Sequence, residues 1–209
     1  MRQNFIYKLI ASVDYKVVDS ILETIDGADW FADDYRKTAG GMSKTNSIPI
    51  FHSHLCGVCN TFETFKAVKK HKLYDKYILK IYPVLLKLKD FYDFNFYSAF
   101  ISRLHPHSII EFHSDGGMFL ETCNRIHLPL QTNEDVKYVI NKRNYYWQKG
   151  NLYEFDNNSF EHGVINDSDF DRIHLVINLY KLSFDQLTHL QMDDFLNNEV
   201  ITNPGRVED

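Results

Sequence analysis

The chain has 209 residues, of which 44% are hydrophobic and 24% are charged, and its 23 Lys and Arg against 28 Asp and Glu give a formal net charge of -5 at pH 7. This composition excludes a disordered or low-complexity chain and provides enough apolar residues for one buried core. The acidic balance argues against a protein that binds the phosphate backbone of nucleic acids.

The first residues indicate neither export nor a membrane anchor. Their apolar run is short and interrupted by Lys8, and no later stretch approaches the ~18 apolar residues of a membrane span. Three cysteines are an odd number that cannot all pair, which favours a reducing compartment over a disulfide framework. We therefore expect a cytoplasmic protein without a membrane partner.

The N-terminal part of the expected single domain, 1–94, reads as mostly helical. Apolar residues recur at three- and four-residue intervals over Tyr15–Thr24 and Tyr74–Phe91, which predicts two helices packed on one side. Pro83 is expected to kink or split the second helix. The segment Thr38–His54, rich in Gly, Ser and Asn, reads as a long loop.

From Phe96 the apolar period changes to two, which predicts a jelly-roll core over 95–182. Eight short strands are expected, at 96–103, 108–113, 125–131, 136–141, 144–148, 151–155, 162–166 and 172–180. They fit a mainly β fold, a double-stranded β-helix of cupin or jelly-roll type with the N-terminal helices packed on one sheet. A helix over 183–196, opened by a Ser183 to Gln186 capping box, and a frayed tail over 197–209 complete the prediction.

Two of these strands have unequal faces. In 172–180 the odd positions are aliphatic, whereas the even positions include Arg172 and His174. In 125–131 the even positions are aliphatic and the odd ones include Arg125 and His127. Each polar face either meets solvent or lines the mouth between the sheets, where buried Arg and His would need an anionic partner.

A metal set is indicated by His113, Asp115 and His162. A His-x-Asp pair places both side chains on one side of an extended segment, although such a pair is common by chance. Two imidazoles and one carboxylate leave the opposite metal positions open, as in non-haem iron(II) oxygenases, and zinc could use the same ligands. Arg172 favours iron, because its planar guanidinium suits the carboxylate of a co-substrate.

A second, weaker metal hypothesis concerns His52, His54, Cys56 and Cys59. Two His and two Cys could bind structural zinc, but four ligands within eight residues require a very tight loop, and the usual zinc spacings separate two pairs. A loop that packs near the pocket is the preferred interpretation. The aromatic run at 145–147 is read as core packing rather than as a substrate platform.

The segment from Ser102 to Leu179 resembles the aspartyl/asparaginyl β-hydroxylase family of Fe(II)- and 2-oxoglutarate-dependent dioxygenases. The resemblance rests on Ser-Arg-Leu-His-Pro at 102–106 followed by His-Ser-Asp at 113–115, on Arg-Ile-His-Leu at 125–128, and on Phe155-Asp156 through His-Gly-Val-Ile-Asn at 162–166 to Arg172. Two departures stand out. His107 stands where the family usually has a glycine after the proline. Metazoan members lack a carboxylate ligand at the position of Asp115, so the chain is more similar to small bacterial and phage-type members.

The resemblance implies that His113, Asp115 and His162 bind iron and that Arg172 binds the distal carboxylate of 2-oxoglutarate. It also implies that Ser102, Arg125 and His127 lie beside this co-substrate. With Fe(II), 2-oxoglutarate and dioxygen, the expected reaction is hydroxylation of an amino acid or of a peptidyl Asp, Asn or Pro residue.

Two other functions remain open. One is a non-catalytic jelly-roll module that binds a metal or a carboxylate, against which the complete triad with Arg172 argues. The other is a zinc-dependent hydrolase, which would need a general base near the metal that the sequence does not reveal.

Overall fold

The computed structural model describes residues 5–32, 44–52 and 68–188. Eleven strands occur in these ranges: β1 (Tyr7–Ser12), β2 (Thr45–His52), β3 (Lys69–Lys70), β4 (Phe96–Leu104), β5 (Ser108–His113), β6 (Asn124–Gln131), β7 (Val136–Ile140), β8 (Arg143–Tyr145), β9 (Asn151–Phe155), β10 (His162–Asn166) and β11 (Arg172–Tyr180). The helices are α1 (Tyr15–Thr24), a 3-10 helix (Gly27–Phe31), α2 (Tyr74–Lys89), α3 (Met118–Glu121) and α4 (Phe184–Thr188).

The strands form two facing antiparallel sheets. The large sheet has the order β1-β9-β6-β11-β4-β2-β3, and the small sheet has the order β5-β10-β7-β8. Strands that are consecutive in the chain, such as β4 and β5, fall in different sheets, as in a jelly roll. The predicted double-stranded β-helix core is confirmed, and all eight predicted strands are present.

Strand β11 lies at the centre of the large sheet, between β4 and β6. Its aliphatic face, together with that of β6, belongs to the larger hydrophobic cluster beneath the helices. Its other face turns towards the small sheet, and Arg172 and Val176 on that face line the cavity between the sheets. Both faces of β11 are therefore buried, and its polar face points inward rather than into solvent.

Helices α1 and α2 cover the outer face of the large sheet, as predicted. Val18 and Ile21 of α1 and the apolar stripe of α2 are buried in the same cluster as β11. Pro83 does not split α2, which runs without interruption from Tyr74 to Lys89. Pro83 has no N–H to donate to the carbonyl of Leu79. Leu79 is 72% exposed and lies on the solvent side of the helix, where water can replace the missing donor.

The prediction of a loop over Thr38–His54 is wrong for β2, which occupies Thr45–His52. Asn46, Ser47 and Pro49 resemble a loop in composition, yet β2 pairs with β4 along its length. The pairing register shifts between Pro49 and Phe51, and such an irregularity is where a strand tolerates proline. Strands β1 and β3 were also not predicted, so the described residues of 1–94 contribute three strands to the large sheet besides their helices.

Smaller differences concern turns. Asn141 and Lys142 have φ values of 49° and 62°, so they form a tight turn between β7 and β8 and end β7 at Ile140. At the turn between β4 and β5, His107 has a φ of 50°, a conformation that glycine adopts most easily. The chain thus keeps the left-handed turn without the glycine expected there.

The predicted capping box is confirmed, because Ser183 and Gln186 exchange hydrogen bonds between side chain and backbone. Helix α4 is described to Thr188, and the rest of the predicted helix and the tail lie outside the described residues. Within the described ranges, every helix is too short or too polar to span a lipid bilayer.

Candidate metal centre and adjoining pocket

The three predicted metal ligands lie together at one end of the small sheet. His113 ends β5, Asp115 follows two residues later, and His162 begins β10. His113 and His162 are cross-strand partners in the β5–β10 ladder. One ligand atom from each of the three side chains lies within 4.8 Å of the others.

Close packing of β5 on β10 allows this approach. Gly163 follows His162, and a Cβ atom at Gly163 would come within 2.9 Å of the Ile110 carbonyl oxygen. The ladder register also shifts between His162 and Val164. A larger side chain at Gly163 would push the two strands apart and separate the imidazoles.

Both imidazoles are oriented by backbone carbonyls. Nδ1 of His113 lies 2.7 Å from the carbonyl oxygen of Glu111, and Nδ1 of His162 lies 3.1 Å from that of Phe160. A carbonyl can only accept, so each Nδ1 carries a hydrogen and each Nε2 is the atom left to bind a metal. This arrangement is typical of metal-binding histidines.

The carboxylate of Asp115 is held on one side. Its Oδ2 accepts a short hydrogen bond from Nη1 of Arg125 and a 2.9 Å bond from Nδ2 of Asn157. The Asp115 backbone N–H also donates to the carbonyl of Asn157 at 2.9 Å. Its Oδ1 lies 3.6 Å from Nε2 of His113, so one oxygen remains for a metal beside the imidazole.

The electrostatics favour the metal-binding protonation states for two of the three ligands. Burial alone would raise the pKa of Asp115, but the charge of Arg125 and the hydrogen bond from His113 outweigh it and hold this pKa well below its usual range. Burial lowers the pKa of His162 to about 4, so this imidazole is neutral at pH 7. The hydrogen bond to Asp115 raises the pKa of His113, so a metal would compete with a proton for this imidazole.

This donor set fits a divalent transition metal. Two imidazole nitrogens and one carboxylate oxygen on one side of an ion are the ligands of non-haem iron(II) sites that keep open positions for other ligands. The residues present therefore fit the implied iron, and the same three ligands could also bind zinc.

A cavity of about 600 Å³, counted out to its open mouth, adjoins the three ligands between the two sheets. Aliphatic and aromatic side chains form most of its wall, and a few polar groups point into it. Its lining residues include Phe100, Ser102, His113, Asp115, Arg125, His127, Tyr138, Trp147, His162 and Arg172. All seven residues predicted for the metal and co-substrate sites thus surround one pocket.

Arg172 is 2% exposed. Its Nε donates to the hydroxyl of Tyr138 at 2.8 Å, and its Nη2 donates to Nδ1 of His174 at 3.0 Å. Both acceptors are neutral, and no carboxylate in the described part of the chain forms an ion pair with Arg172. A buried cation without an anionic partner is costly, which indicates that an anion binds here.

His127 lies beside the same pocket with both ring nitrogens unpaired among the described residues. Trp147 and Phe155 surround its ring, with ring centroids 5.4 Å and 5.3 Å away. Burial lowers the pKa of His127, so the ring is neutral. A buried imidazole without a partner is available to a ligand. Ser102 is buried on β4 and also lines the pocket.

Arg125 lines the pocket as expected, but its guanidinium is also bonded to side chains of the protein. Besides Asp115, its guanidinium bonds through Nε to the Asn178 side chain at 2.9 Å. Asn178 in turn donates to Ser98 at 2.9 Å. Arg125 thus holds a metal ligand in place, whatever contact it makes with a ligand in the pocket.

Sequence reasoning missed Asn157, Tyr138 and Trp147. Asn157 lies between the predicted strands 151–155 and 162–166, and its contact with Asp115 spans 42 positions. Alternation along β7 places Tyr138 on an inward face, but it cannot identify the partners of the hydroxyl. Trp147 is in the core as predicted, and it also lines the pocket. Of the second zinc hypothesis, only His52 lies within the described residues.

The contact between Asn157 and Asp115 leads to a prediction. Asn157→Ala removes one hydrogen bond that orients the carboxylate, and the loss of such a partner lowers metal affinity by about 10- to 100-fold. Metal titration followed by intrinsic fluorescence measures the change. Asn133→Ala is the control, because its side-chain oxygen accepts from the backbone N–H of Asp135 at 3.0 Å and Asn133 does not line the pocket. Equal affinities in the two variants would contradict this role of Asn157.

Comparisons with known proteins agree with this geometry. Residues 66–181 match the family model described as aspartyl/asparaginyl beta-hydroxylase. No curated protein matches the chain. Among solved structures, a Pseudomonas putida prolyl-4-hydroxylase is similar over 85% of this chain and 94% of its own, with 11% identity and a TM-score of 0.50, which shows a shared fold. The viral collagen prolyl hydroxylase of Paramecium Bursaria Chlorella virus-1 is 13% identical over 85% and 97%, with a TM-score of 0.46.

Proposed function

Because this chain belongs to the aspartyl/asparaginyl β-hydroxylase family, we propose that it is an Fe(II)- and 2-oxoglutarate-dependent hydroxylase that acts on an amino acid or on a peptidyl Asp, Asn or Pro residue. The observation that carries this proposal is the presence of two features in one pocket: a set of three metal ligands and a buried guanidinium without an anionic partner among the described residues. A zinc hydrolase needs only the three metal ligands. An enzyme that binds a 2-oxo acid with a second carboxylate needs the metal ligands and also a cation for that carboxylate.

The residues have separate tasks in this proposal. His113, Asp115 and His162 hold the metal, and Arg125 and Asn157 hold Asp115. Bound Fe(II), with 2-oxoglutarate and dioxygen, supplies the oxidising power to hydroxylate an unactivated C–H bond, while 2-oxoglutarate becomes succinate and carbon dioxide.

Arg172 binds the distal carboxylate of the co-substrate through the N–H groups that Tyr138 and His174 leave free. Ser102 and the neutral ring of His127 lie beside the co-substrate. The apolar wall limits access of water, which strengthens these polar contacts.

The substrate enters the remaining, open part of the cavity. The cavity opens to solvent, so a substrate can approach the metal ligands from its mouth. Free amino acids and short peptides are therefore the substrates to test first.

The experiment uses purified protein with Fe(II), 2-oxoglutarate and oxygen, and follows succinate with and without free Asp, Asn and Pro and with peptides that contain them. We expect succinate above the metal-free background and an increase with the correct substrate. The same protein loaded with zinc is the control, and it should form no succinate. Binding of 2-oxoglutarate without succinate under any condition would favour the binding-module alternative and overturn the proposed reaction.

A further inference from the structure

Three buried side chains form a cluster that bridges the two sheets. Arg172 and His174 lie on the inward face of β11, and Tyr138 lies opposite them on β7. Their exposed fractions are 2%, 0% and 3%. We refer to these three residues as the Tyr138 cluster.

The hydrogens of this cluster can be assigned from the identities of its donors. Nη2 of Arg172 can only donate, so Nδ1 of His174, 3.0 Å away, must accept and carries no hydrogen. A neutral imidazole then carries its hydrogen on Nε2, which lies 2.5 Å from the hydroxyl oxygen of Tyr138. His174 is therefore the donor in that contact. Burial also lowers the pKa of His174, in agreement with a neutral ring.

The hydroxyl oxygen of Tyr138 thus accepts two hydrogen bonds. One comes from Nε2 of His174, and the other comes from Nε of Arg172 at 2.8 Å. The oxygen has two lone pairs, and both are used, so the hydroxyl hydrogen must donate elsewhere. No acceptor for it occurs in the part of the chain that the structure describes.

The free hydrogen belongs to a residue that lines the pocket together with Arg172. A buried hydroxyl normally finds an acceptor, and here a bound molecule can provide one. An anionic acceptor is favoured, because Arg172 presents its remaining N–H groups beside the same hydroxyl.

We propose that Tyr138 is a co-substrate-binding residue whose hydroxyl donates to the distal carboxylate of 2-oxoglutarate, and that His174 is a positioning residue that directs this hydrogen into the pocket. This inference rests on the proposed function, and it extends the binding site beyond the residues implied by the family resemblance. It also assigns a source of selectivity, since a 2-oxo acid without the distal carboxylate leaves the hydroxyl and the guanidinium unpaired.

The test compares two ligands on Fe(II)-loaded protein without oxygen. Calorimetry measures the Kd of 2-oxoglutarate and of 2-oxobutyrate, which lacks the distal carboxylate. We expect Tyr138→Phe to weaken 2-oxoglutarate by about 10-fold, which corresponds to about 1.4 kcal/mol, and to leave the Kd of 2-oxobutyrate unchanged. An unchanged Kd for 2-oxoglutarate, or equal losses for both ligands, overturns the role of Tyr138.

Tyr153→Phe is the matched control. Tyr138 and Tyr153 stack on Trp147, with ring centroids 4.1 Å and 5.0 Å from it. The hydroxyl of Tyr153 accepts from the backbone N–H of Gln148 at 3.1 Å, and Tyr153 is not among the pocket-lining residues. Its variant should keep the preference of the wild type for 2-oxoglutarate over 2-oxobutyrate.

The positioning role of His174 is tested by rescue. His174→Leu removes both the acceptor for Arg172 and the donor to Tyr138, so the preference for 2-oxoglutarate should fall by about 10-fold or more. His174→Gln offers one acceptor and one donor and should restore part of that preference. If the preference stays at the wild-type value in both variants, His174 has only a structural role.

Ligand binding by the wild-type protein distinguishes the proposed function from the role of Tyr138. Absence of 2-oxoglutarate binding to the Fe(II)-loaded wild type would overturn the proposed function and this inference together. Binding by the wild type and equal binding by Tyr138→Phe would overturn the inference and leave the proposed function intact.

Discussion

Replacing His162 by alanine is expected to lower Fe(II) affinity and succinate formation by more than about 100-fold, because loss of a residue that merely orients a ligand already costs about 10- to 100-fold. His162 offers a neutral Nε2 in a buried position, and burial keeps its pKa at about 4, so no proton competes with the metal there at pH 7. Metal content after dialysis and succinate formation measure the two effects.

His105→Ala is the control for this variant. His105 is a half-exposed histidine whose Nδ1 lies 3.2 Å from the Asp171 carboxylate, and it does not belong to the metal set. Its replacement should leave both measurements close to the wild type. Circular dichroism checks that each variant is folded. Normal iron content in folded His162→Ala would exclude His162 as a ligand.

Replacing Arg172 by methionine is expected to weaken 2-oxoglutarate binding by about 30-fold or more, since truncation of one member of a buried charge pair costs about 2–5 kcal/mol. Arg172→Lys retains the charge but loses the planar fork, so we expect a smaller loss of about 10-fold, the equivalent of one charge-assisted hydrogen bond. The KM for 2-oxoglutarate and the Kd on Fe(II)-loaded protein measure both variants.

Arg103→Ala provides the comparison for Arg172. Arg103 lies on the neighbouring strand β4, where it is the cross-strand partner of Ile173. Its guanidinium stacks on Trp30 at 4.4 Å and pairs with Asp171 at 3.5 Å, away from the pocket lining. If this variant raised the KM for 2-oxoglutarate as much as Arg172→Met does, the effect would reflect general damage to the sheet and not a lost carboxylate contact.

Much of the fold could be predicted because its signals are local. The alternation along β11 and β6 depends only on the two-residue period of a strand, so the polar face of each strand was identified correctly, while its direction, solvent or pocket, was left open. The missed strand β2 shows the limit of such signals. Its Pro49, Ser47 and Asn46 favour a loop, and only pairing with β4, some fifty positions later in the chain, makes the segment a strand.

The candidate site divides in the same way. His113, Asp115, His162 and Arg172 could be identified in the sequence because their residue types, order and spacing carry the chemistry of a metal and a carboxylate. The sequence by itself therefore determined the candidate ligand set, the jelly-roll core and the family resemblance.

Only the tertiary structure decided which side chains support that set. Arg125 was expected beside the co-substrate, yet it bonds to Asp115, and Asn157 and Tyr138 attracted no attention in the sequence. The physical reason is that a hydrogen bond depends on where two distant segments place a donor and an acceptor to within a few tenths of an ångström. That placement follows from the register of β5 on β10 and from the packing of one sheet on the other, which no local pattern records.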